Sequence, residues 1–400
     1  MAGTVPRIIH IIASAGPGSF GLGPVALNLA REQNSLGGNA ELWSLDTEED
    51  RLWAATSSGL PVDKIRGYRR TPPRALCSSR EMARLAVNEA PTISLVHQHS
   101  LWTGLSRVTA RLRLRHGVPS VITPHGALKK WALRKSRWKK EIVLTLYERE
   151  NLKNASAFHA VGPNEIADIR GFGLSNPVAV IPNGISADWL GSSGDAGSFR
   201  ERCGIPADRR IVLFLSRITP IKGLPMFLEA INARRKNFTD WHFVIAGGDE
   251  FGHLEEVRRC IAEKRLDSFV SFAGLLSGQQ KRDAFASADF FVLPSYGEAA
   301  PIAILEALGA GIPVLATKAS PWQGLEDHDC GWWVDISAGA LADALGVALG
   351  STQDELRRMG QKGKELVAAK YAWRKSAEMT MQLYDWLLQR GEKPAFVVAD

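Results

Sequence analysis

Along residues 1–182, short apolar and β-branched runs at 7–13, 93–97, 119–123, 157–161 and 178–181 alternate with longer stretches whose apolar residues return at helical spacing. From residue 183 the rhythm restarts. Runs at 211–216, 242–246, 270–272, 290–293 and 314–316 each end in Gly, Pro or polar turn residues and give way to a helical pattern. A buried strand followed by an amphipathic helix, repeated, is the linear form of a parallel sheet, because parallel neighbours need a long crossover between them. Two such series predict an α/β protein with two sheets. Between them, Pro182, Asn183 and Gly184 read as a turn, and 191–198 (Gly191, Ser192, Ser193, Gly194 and Gly197 among them) reads as a flexible connection with no core residues. Near the end, Met379, Leu383, Trp386 and Leu387 fall on one helical face that needs a surface to cover it. The expected division is 1–182, 183–375, and a returning helix with tail over 376–400.

Composition narrows the class. With 400 residues, 45% of them apolar and 23% charged, the chain suits two globular domains. No run approaches the roughly 20 apolar residues of a membrane span, so a soluble or peripheral protein is expected. The opening run around Ile8–Ile12 has the outline of a signal peptide, but one cation precedes it and His10 interrupts it, and a first buried strand entering a glycine-rich turn accounts better for it. Cys77, Cys203, Cys260 and Cys330 are too far apart for a CxxC pair or a zinc pattern, and read as thiols in a reducing compartment.

The charge is local. Residues 107–140 hold eleven Lys/Arg and no Asp or Glu, so the net +7 leaves 7 − 11 = −4 for the rest. The densest part interleaves Lys129, Lys130, Arg134, Lys135, Arg137, Lys139 and Lys140 with Trp131, Leu133 and Trp138. That mixture fits an anionic membrane surface, and a solvated helix face is the plainer reading. A nucleic-acid partner is not expected, because the stretch lacks a recognised reading module.

Candidate chemistry centres on 293–307. An apolar strand ends there, a turn follows, and Pro301 opens a helix. Glu298 then precedes the helix beside the amides of Ala299, Ala300 and Ile302, where unpaired N–H groups and the helix dipole favour a diphosphate. Glu306 lies about one and a half turns into that helix. Read singly, Glu298 complements a dipole and Glu306 is a face residue, but apolar neighbours surround Glu306.

Glu298 and Glu306, with seven residues between them, resemble the E-x7-E signature of the retaining GT-B glycosyltransferases of family four. Ser216 to Gly223 resembles that family's segment carrying an Arg and a Lys for the donor diphosphate, here Arg217 and Lys222. The resemblance extends over most of the chain, most clearly from Val178 to Val334, and the run Cys330 to Val334 is similar to bacterial cell-surface polysaccharide transferases. It implies two Rossmann-like domains facing each other across a cleft, with the final helix packing back across both. The implied activity is metal-independent hexose transfer, with retention, from a UDP- or GDP-sugar to a lipid-linked or saccharide acceptor in exopolysaccharide or cell-surface glycan synthesis. The nucleotide sugar is a co-substrate and no cofactor is expected.

By the same resemblance Glu298 holds the sugar, Glu306 the ribose, and Ala273, Gly274 and Leu275 the nucleobase through their backbone. His125 reaches the reacting centre, Gly16, Gly18 and Gly23 form the first-domain cleft loop, and the location is cytoplasmic or peripheral on the inner membrane face. His97 and His99 stay open between cleft lining and core. Ala299 and Ala300 stand where relatives often carry Gly or an aromatic, which bears on the donor sugar. A sugar-nucleotide epimerase on the same fold, or a nucleic-acid binder using the basic stretch, are the alternative functions.

Overall fold

The computed structural model describes residues 4–19, 21–191 and 194–399. Phe20 in the glycine loop and Ser192 and Ser193 in the expected connection lie outside the described residues. The chain forms two compact units, one up to Gly184 and again from Trp373, the other Ile185–Ala372. The strands of the first are β1 (Arg7–Ile11), β2 (Asn39–Ser44), β3 (Ile65–Gly67), β4 (Leu95–His99), β5 (Ser120–Thr123), β6 (Ala157–Ala160) and β7 (Val178–Val180). The second unit carries β8 (Arg210–Leu215), β9 (Trp241–Ala246), β10 (Val270–Gly274), β11 (Phe290–Leu293), β12 (Val314–Thr317) and β13 (Gly331–Val334), and β14 (Val397–Val398) belongs to the first.

The sheet orders are β14-β7-β6-β5-β4-β1-β2-β3 and β10-β9-β8-β11-β12-β13, parallel throughout except for β14 against β7. Both are Rossmann-like. Order reverses around β1 and β8, so the loops after β1 and β4 lie together, as do those after β8 and β11. In such sheets ligands bind beyond the strand carboxyl ends at these reversals. Apart from Arg210 at the start of β8 and His242 in β9, the strands β8, β9 and β11 are apolar, with Val212, Leu213, Phe214, Phe243, Val244, Phe290, Phe291 and Val292 fully buried. That is what a sheet covered on both faces requires, each such side chain contributing about 1.5–3 kcal/mol.

Three differences from the sequence reading have physical causes. Strand β2 escaped it because Glu41 interrupts the apolar run. That carboxylate is held by Arg7 Nε at 2.7 Å and Arg66 Nε at 3.2 Å. Strand β4 runs on to His99 instead of ending at His97, because Gln98 and His99 are buried with polar partners of their own. The stretch 191–198 is also more than a connection. Asp195 caps the helix Ala196–Cys203 by accepting from Ser198 N at 3.0 Å, and that helix buries Phe199 completely.

The final helix is Trp373–Leu387, packed on the helix Leu22–Ser35 of the first unit through Leu383 and Tyr384. It begins before 376 because Trp373 is seated against Gly184, where a Cβ would fall 2.5 Å from the Trp373 backbone, and Ser376 Oγ donates to Pro182 O at 2.7 Å.

Candidate functional site

In the second unit the 3-10 turn Pro220–Lys222 follows β8, and the loop 294–301 follows β11. Adjacent strands bring the loops together, and glycine lets them touch. Gly223 has φ +68°, and a Cβ there would lie 2.0 Å from Pro294 O. Tyr296 N donates to Ile221 O at 2.8 Å. Across this seam Lys222 Nζ lies 2.5 Å from Glu298 Oε1, and Ser295 Oγ donates to the same oxygen at 2.6 Å. Both charged residues are buried. A paired charge of each sign is thus stored beside a helix start, because either alone would be strongly disfavoured there.

The helix is Ile302–Gly309, with Pro301 at the N-cap and no side chain capping it. Proline therefore stands one position earlier than expected. Among the described residues no acceptor meets the amides of Ala299 and Ala300, and the first helical amides lack partners by construction. Glu298 N is engaged by Ala319 O at 3.2 Å. Glu306 is paired with Lys281 Nζ at 2.6 Å, and its carbonyl accepts from Trp189 Nε1 at 2.8 Å.

Arg217 is placed elsewhere, 2.6 Å from Glu250. Its loop is tied to the one after β9, where Gly247 (φ +151°) brings its Cα so close that a Cβ would meet Ser216 O at 1.8 Å. Gly274 O accepts from Gly247 N at 2.7 Å, so the segment Ala273, Gly274 and Leu275 borders the same loops, with Leu275 65% exposed.

In the first unit, the glycine loop is shaped by the segment that follows β2 and by its own Ser19. Asp46 accepts from Ser14 Oγ at 2.6 Å and Ala15 N at 2.7 Å. A Cβ on Gly16 would lie 2.8 Å from Asp50 Oδ1 and one on Gly23 1.9 Å from Ser19 Oγ, whereas at Gly18 none of the described residues comes within 4 Å. Gly23 lies inside the helix Leu22–Ser35 rather than in the loop.

His125 follows β5 with φ +51°. Glu165 holds this turn, accepting from Gly126 N at 2.6 Å and Val161 N at 2.8 Å. From His125 a chain of polar contacts runs inward: His99 Nδ1 to His125 Nε2 at 3.2 Å, His10 Nδ1 to His99 Nε2 at 3.0 Å, and His10 Nε2 to Gln33 Oε1 at 2.8 Å. Its polarity can be read from the far end. Thr380 donates to Ala377 O and so accepts from Gln33 Nε2 at 2.9 Å, which turns Gln33 Oε1 toward His10. A neutral His10 therefore carries its proton on Nε2 and accepts at Nδ1, and the same logic passes through His99 to His125. His125 is left as the Nε2–H tautomer, its Nδ1 an acceptor.

The rings are neutral because burial drives His125 down to about 3, His10 and His159 to about 4, and His97 and His99 well below the ordinary value. His10, His97 and His99 form the one compact group of metal-ligand type among the described residues. However, the rings of His97 and His99 stack at 4.5 Å and 23°, and both His97 nitrogens already meet Tyr384 OH and Thr123 Oγ1.

The basic stretch forms the helices Lys130–Arg134 and Arg137–Val143, continuing through Leu144–Glu148. Two of its cations turn inward: Lys129 pairs with Asp168 at 3.2 Å, and Lys140 Nζ donates to Ala132 O beside the Trp102 ring. Arg137 pairs with Glu141 at 2.7 Å, and Lys139 lies over its neighbour Trp138. Trp131, Trp138, Ile142 and Leu146 stand 42%, 64%, 51% and 72% exposed. The last two were passed over in sequence because they lie beyond the charges. Glu165, Lys281 and the Gln33–Thr380 pair were missed for a different reason, since their partners are distant in the chain, whereas Ser295 stands three residues before Glu298 and carries no pattern of its own.

Residues 209–350 match the family model described as glycosyl transferases group 1, and residues 20–184 that of the glycosyl transferase 4-like domain. A putative glycosyltransferase, EpsF, of Bacillus subtilis is 31% identical over 59% of this chain, and the match spans 60% of that relative. The GDP-mannose:cellobiosyl-diphosphopolyprenol alpha-mannosyltransferase of Xanthomonas oryzae is 27% identical, covering 78% of each chain. Among solved structures, HepE of Anabaena in complex with UDP and glucose superimposes with a TM-score of 0.76 at 18% identity over 96% of this chain and 100% of that one.

Proposed function

This chain belongs to the glycosyltransferases with group 1 and 4-like domains and the GT-B fold, and on that premise we propose that it transfers a hexose from a UDP- or GDP-sugar, with retention and without a bound metal, to a lipid-linked or saccharide acceptor in cell-surface polysaccharide synthesis. The observation that carries this reading is the buried Lys222–Glu298 pair at the open start of the helix Ile302–Gly309. A diphosphate arriving there meets the amides of Ala299 and Ala300 and takes Lys222 as its counter-ion, and Arg217, once it leaves Glu250, supplies a second cation. Glu298, released from Lys222, accepts hydroxyls of the transferred sugar. Glu306 accepts from the ribose, and the backbone of Ala273, Gly274 and Leu275 meets the base. As the bond from the anomeric carbon to the diphosphate breaks, the acceptor oxygen bonds to that carbon on the same face, and the departing phosphate oxygen takes the acceptor hydroxyl's proton. His125, neutral and bare at Nδ1, accepts a hydroxyl of the sugar.

The acceptor is lipid-linked in this reading because Trp131, Trp138, Ile142 and Leu146 present apolar surface beside Lys130 and Arg134, which pair with no carboxylate among the described residues, a combination suited to an anionic bilayer. The Xanthomonas relative, by its name, acts on a diphosphopolyprenol. The test is transfer by the purified protein from a panel of UDP- and GDP-hexoses in EDTA, with acceptor presented in anionic liposomes. Glu298→Ala is expected to lower turnover at least tenfold with a smaller change in donor affinity. Glu306→Ala is expected to weaken donor binding at least tenfold, since a charged hydrogen-bond partner contributes about 1.5–3 kcal/mol. Near-normal activity in both variants, or activity lost in EDTA and restored by Mg²⁺, overturns the assignment.

A further inference from the structure

We propose that a cavity between the helices Arg80–Glu89 and Ser106–His116 of the first unit binds the diphosphate of a prenyl-diphosphate-linked acceptor, an assignment that rests on the reading of the chain as a transferase with a lipid-linked acceptor. The cavity measures ≈ 610 Å³ and is lined by Arg80, Arg84, Arg107 and Arg111, with Leu76 and Val87 among its apolar walls and no Asp or Glu. Arg80 and Arg84 are one helical turn apart, and so are Arg107 and Arg111, so each helix presents two guanidinium groups to the same space.

The arrangement is costly when empty. Four like charges lining one cavity repel, and no carboxylate among the described residues pairs with any of the four. Other arginines of the same unit are balanced: Arg7 by Glu41 and Glu89, Arg66 by the same two, Arg51 by Glu48. Guanidinium groups bind phosphate oxygens bidentately, and a diphosphate offers enough oxygens for both helices at once.

The apolar surroundings favour a lipid as the bearer of that diphosphate. Arg107 sits 5.9 Å from the centre of the Tyr147 ring, and among the described residues the buried Tyr147 hydroxyl has no hydrogen-bond partner. Tyr147 belongs to the run Leu144–Glu148 that also exposes Leu146, and Ile142 and Trp138 precede it at intervals of one turn. The cationic cavity therefore abuts the helical run with the exposed apolar side chains. A headgroup held by the arginines leaves its hydrocarbon chain next to that run, where a bilayer would receive it.

The test is titration of the full chain with farnesyl diphosphate, inorganic pyrophosphate and farnesol, for the native protein and an Arg84→Gln/Arg111→Gln variant. Both arginines are exposed, so the variant is expected to fold. Farnesyl diphosphate is expected to bind at least tenfold more tightly than pyrophosphate, and the variant to weaken it at least tenfold while leaving UDP- and GDP-sugar affinity within twofold. Unchanged farnesyl diphosphate affinity in the variant, equal binding of farnesol, or equal binding of pyrophosphate overturns the proposal. Failure of every nucleotide sugar to bind, with farnesyl diphosphate still bound through the arginines, would overturn the transferase reading and leave the anionic-lipid site standing.

Discussion

Thr380 has no contact with His125, yet its hydroxyl, engaged by Ala377 O, orients Gln33 and through it the protons of His10, His99 and His125. A histidine that accepts at Nδ1 and one that donates there ask for opposite substrate groups, so the tautomer is a matter of chemistry and not only of packing. Thr380→Val keeps the shape and removes the hydroxyl. It is expected to populate both tautomers of His125, visible as averaged ¹⁵N shifts of its ring nitrogens, and to lower kcat about tenfold, or about 1.4 kcal/mol, with the donor KM within twofold. A single Nε2–H tautomer in the variant together with an unchanged kcat would show that the relay only packs the core.

At the scale of elements, the donor-side residues meet because the loops after β8 and β11 are drawn together at one glycine. Gly223 combines a left-handed φ of +68° with a Cα against Pro294 O, so any side chain there meets both backbone strain and a clash. Gly223→Ala is expected to cost at least about 2 kcal/mol in urea unfolding and to weaken nucleotide-sugar binding by displacing Lys222. Gly248→Ala is the matched control. Its Cβ would lie 3.9 Å from Leu275, ordinary contact, and a change within 0.5 kcal/mol of zero, about the limit for neutral sites, is expected. Equal effects at the two positions would remove the special role given to the β8 loop.

For the whole molecule, the buried histidines make stability depend on pH in one direction. Their folded values lie below the unfolded value of about 6.5, so as pH falls the unfolded chain takes protons first. Their contribution is complete above about pH 6.5 and is lost as pH falls toward the folded values of about 4 for His10 and His159 and about 3 for His125. Each of these histidines, His10 and His159 buried and His125 half-buried, costs roughly 1.4 kcal/mol per pH unit in that window, so the three together predict a loss of at most about 4 kcal/mol between pH 7.5 and 5.5. Urea midpoints measured across that range check it. A midpoint that is flat down to pH 5 would mean that the rings are already charged or solvent-accessible.

Periodicity and turn chemistry are local, which is why the sequence by itself determined two series of βα units, the helix that follows Glu298, and the apolar strands of the second sheet. Where a strand contains a charge, as β2 does at Glu41, the local pattern misleads, because its neutralising arginines come from other strands. The pairings of the candidate site were illegible for the same reason. Lys222 with Glu298, Lys281 with Glu306, Glu165 beneath the His125 turn, and the run from Thr380 to His125 all join segments far apart in the chain. The same holds for Lys129 and Lys140, which read as surface charges and turn inward to Asp168 and Ala132. Only the tertiary structure decided these, because strand order, with β1 beside β4 and β8 beside β11, sets which loops meet, and strand order is a property of the closed sheet that no stretch of sequence carries alone.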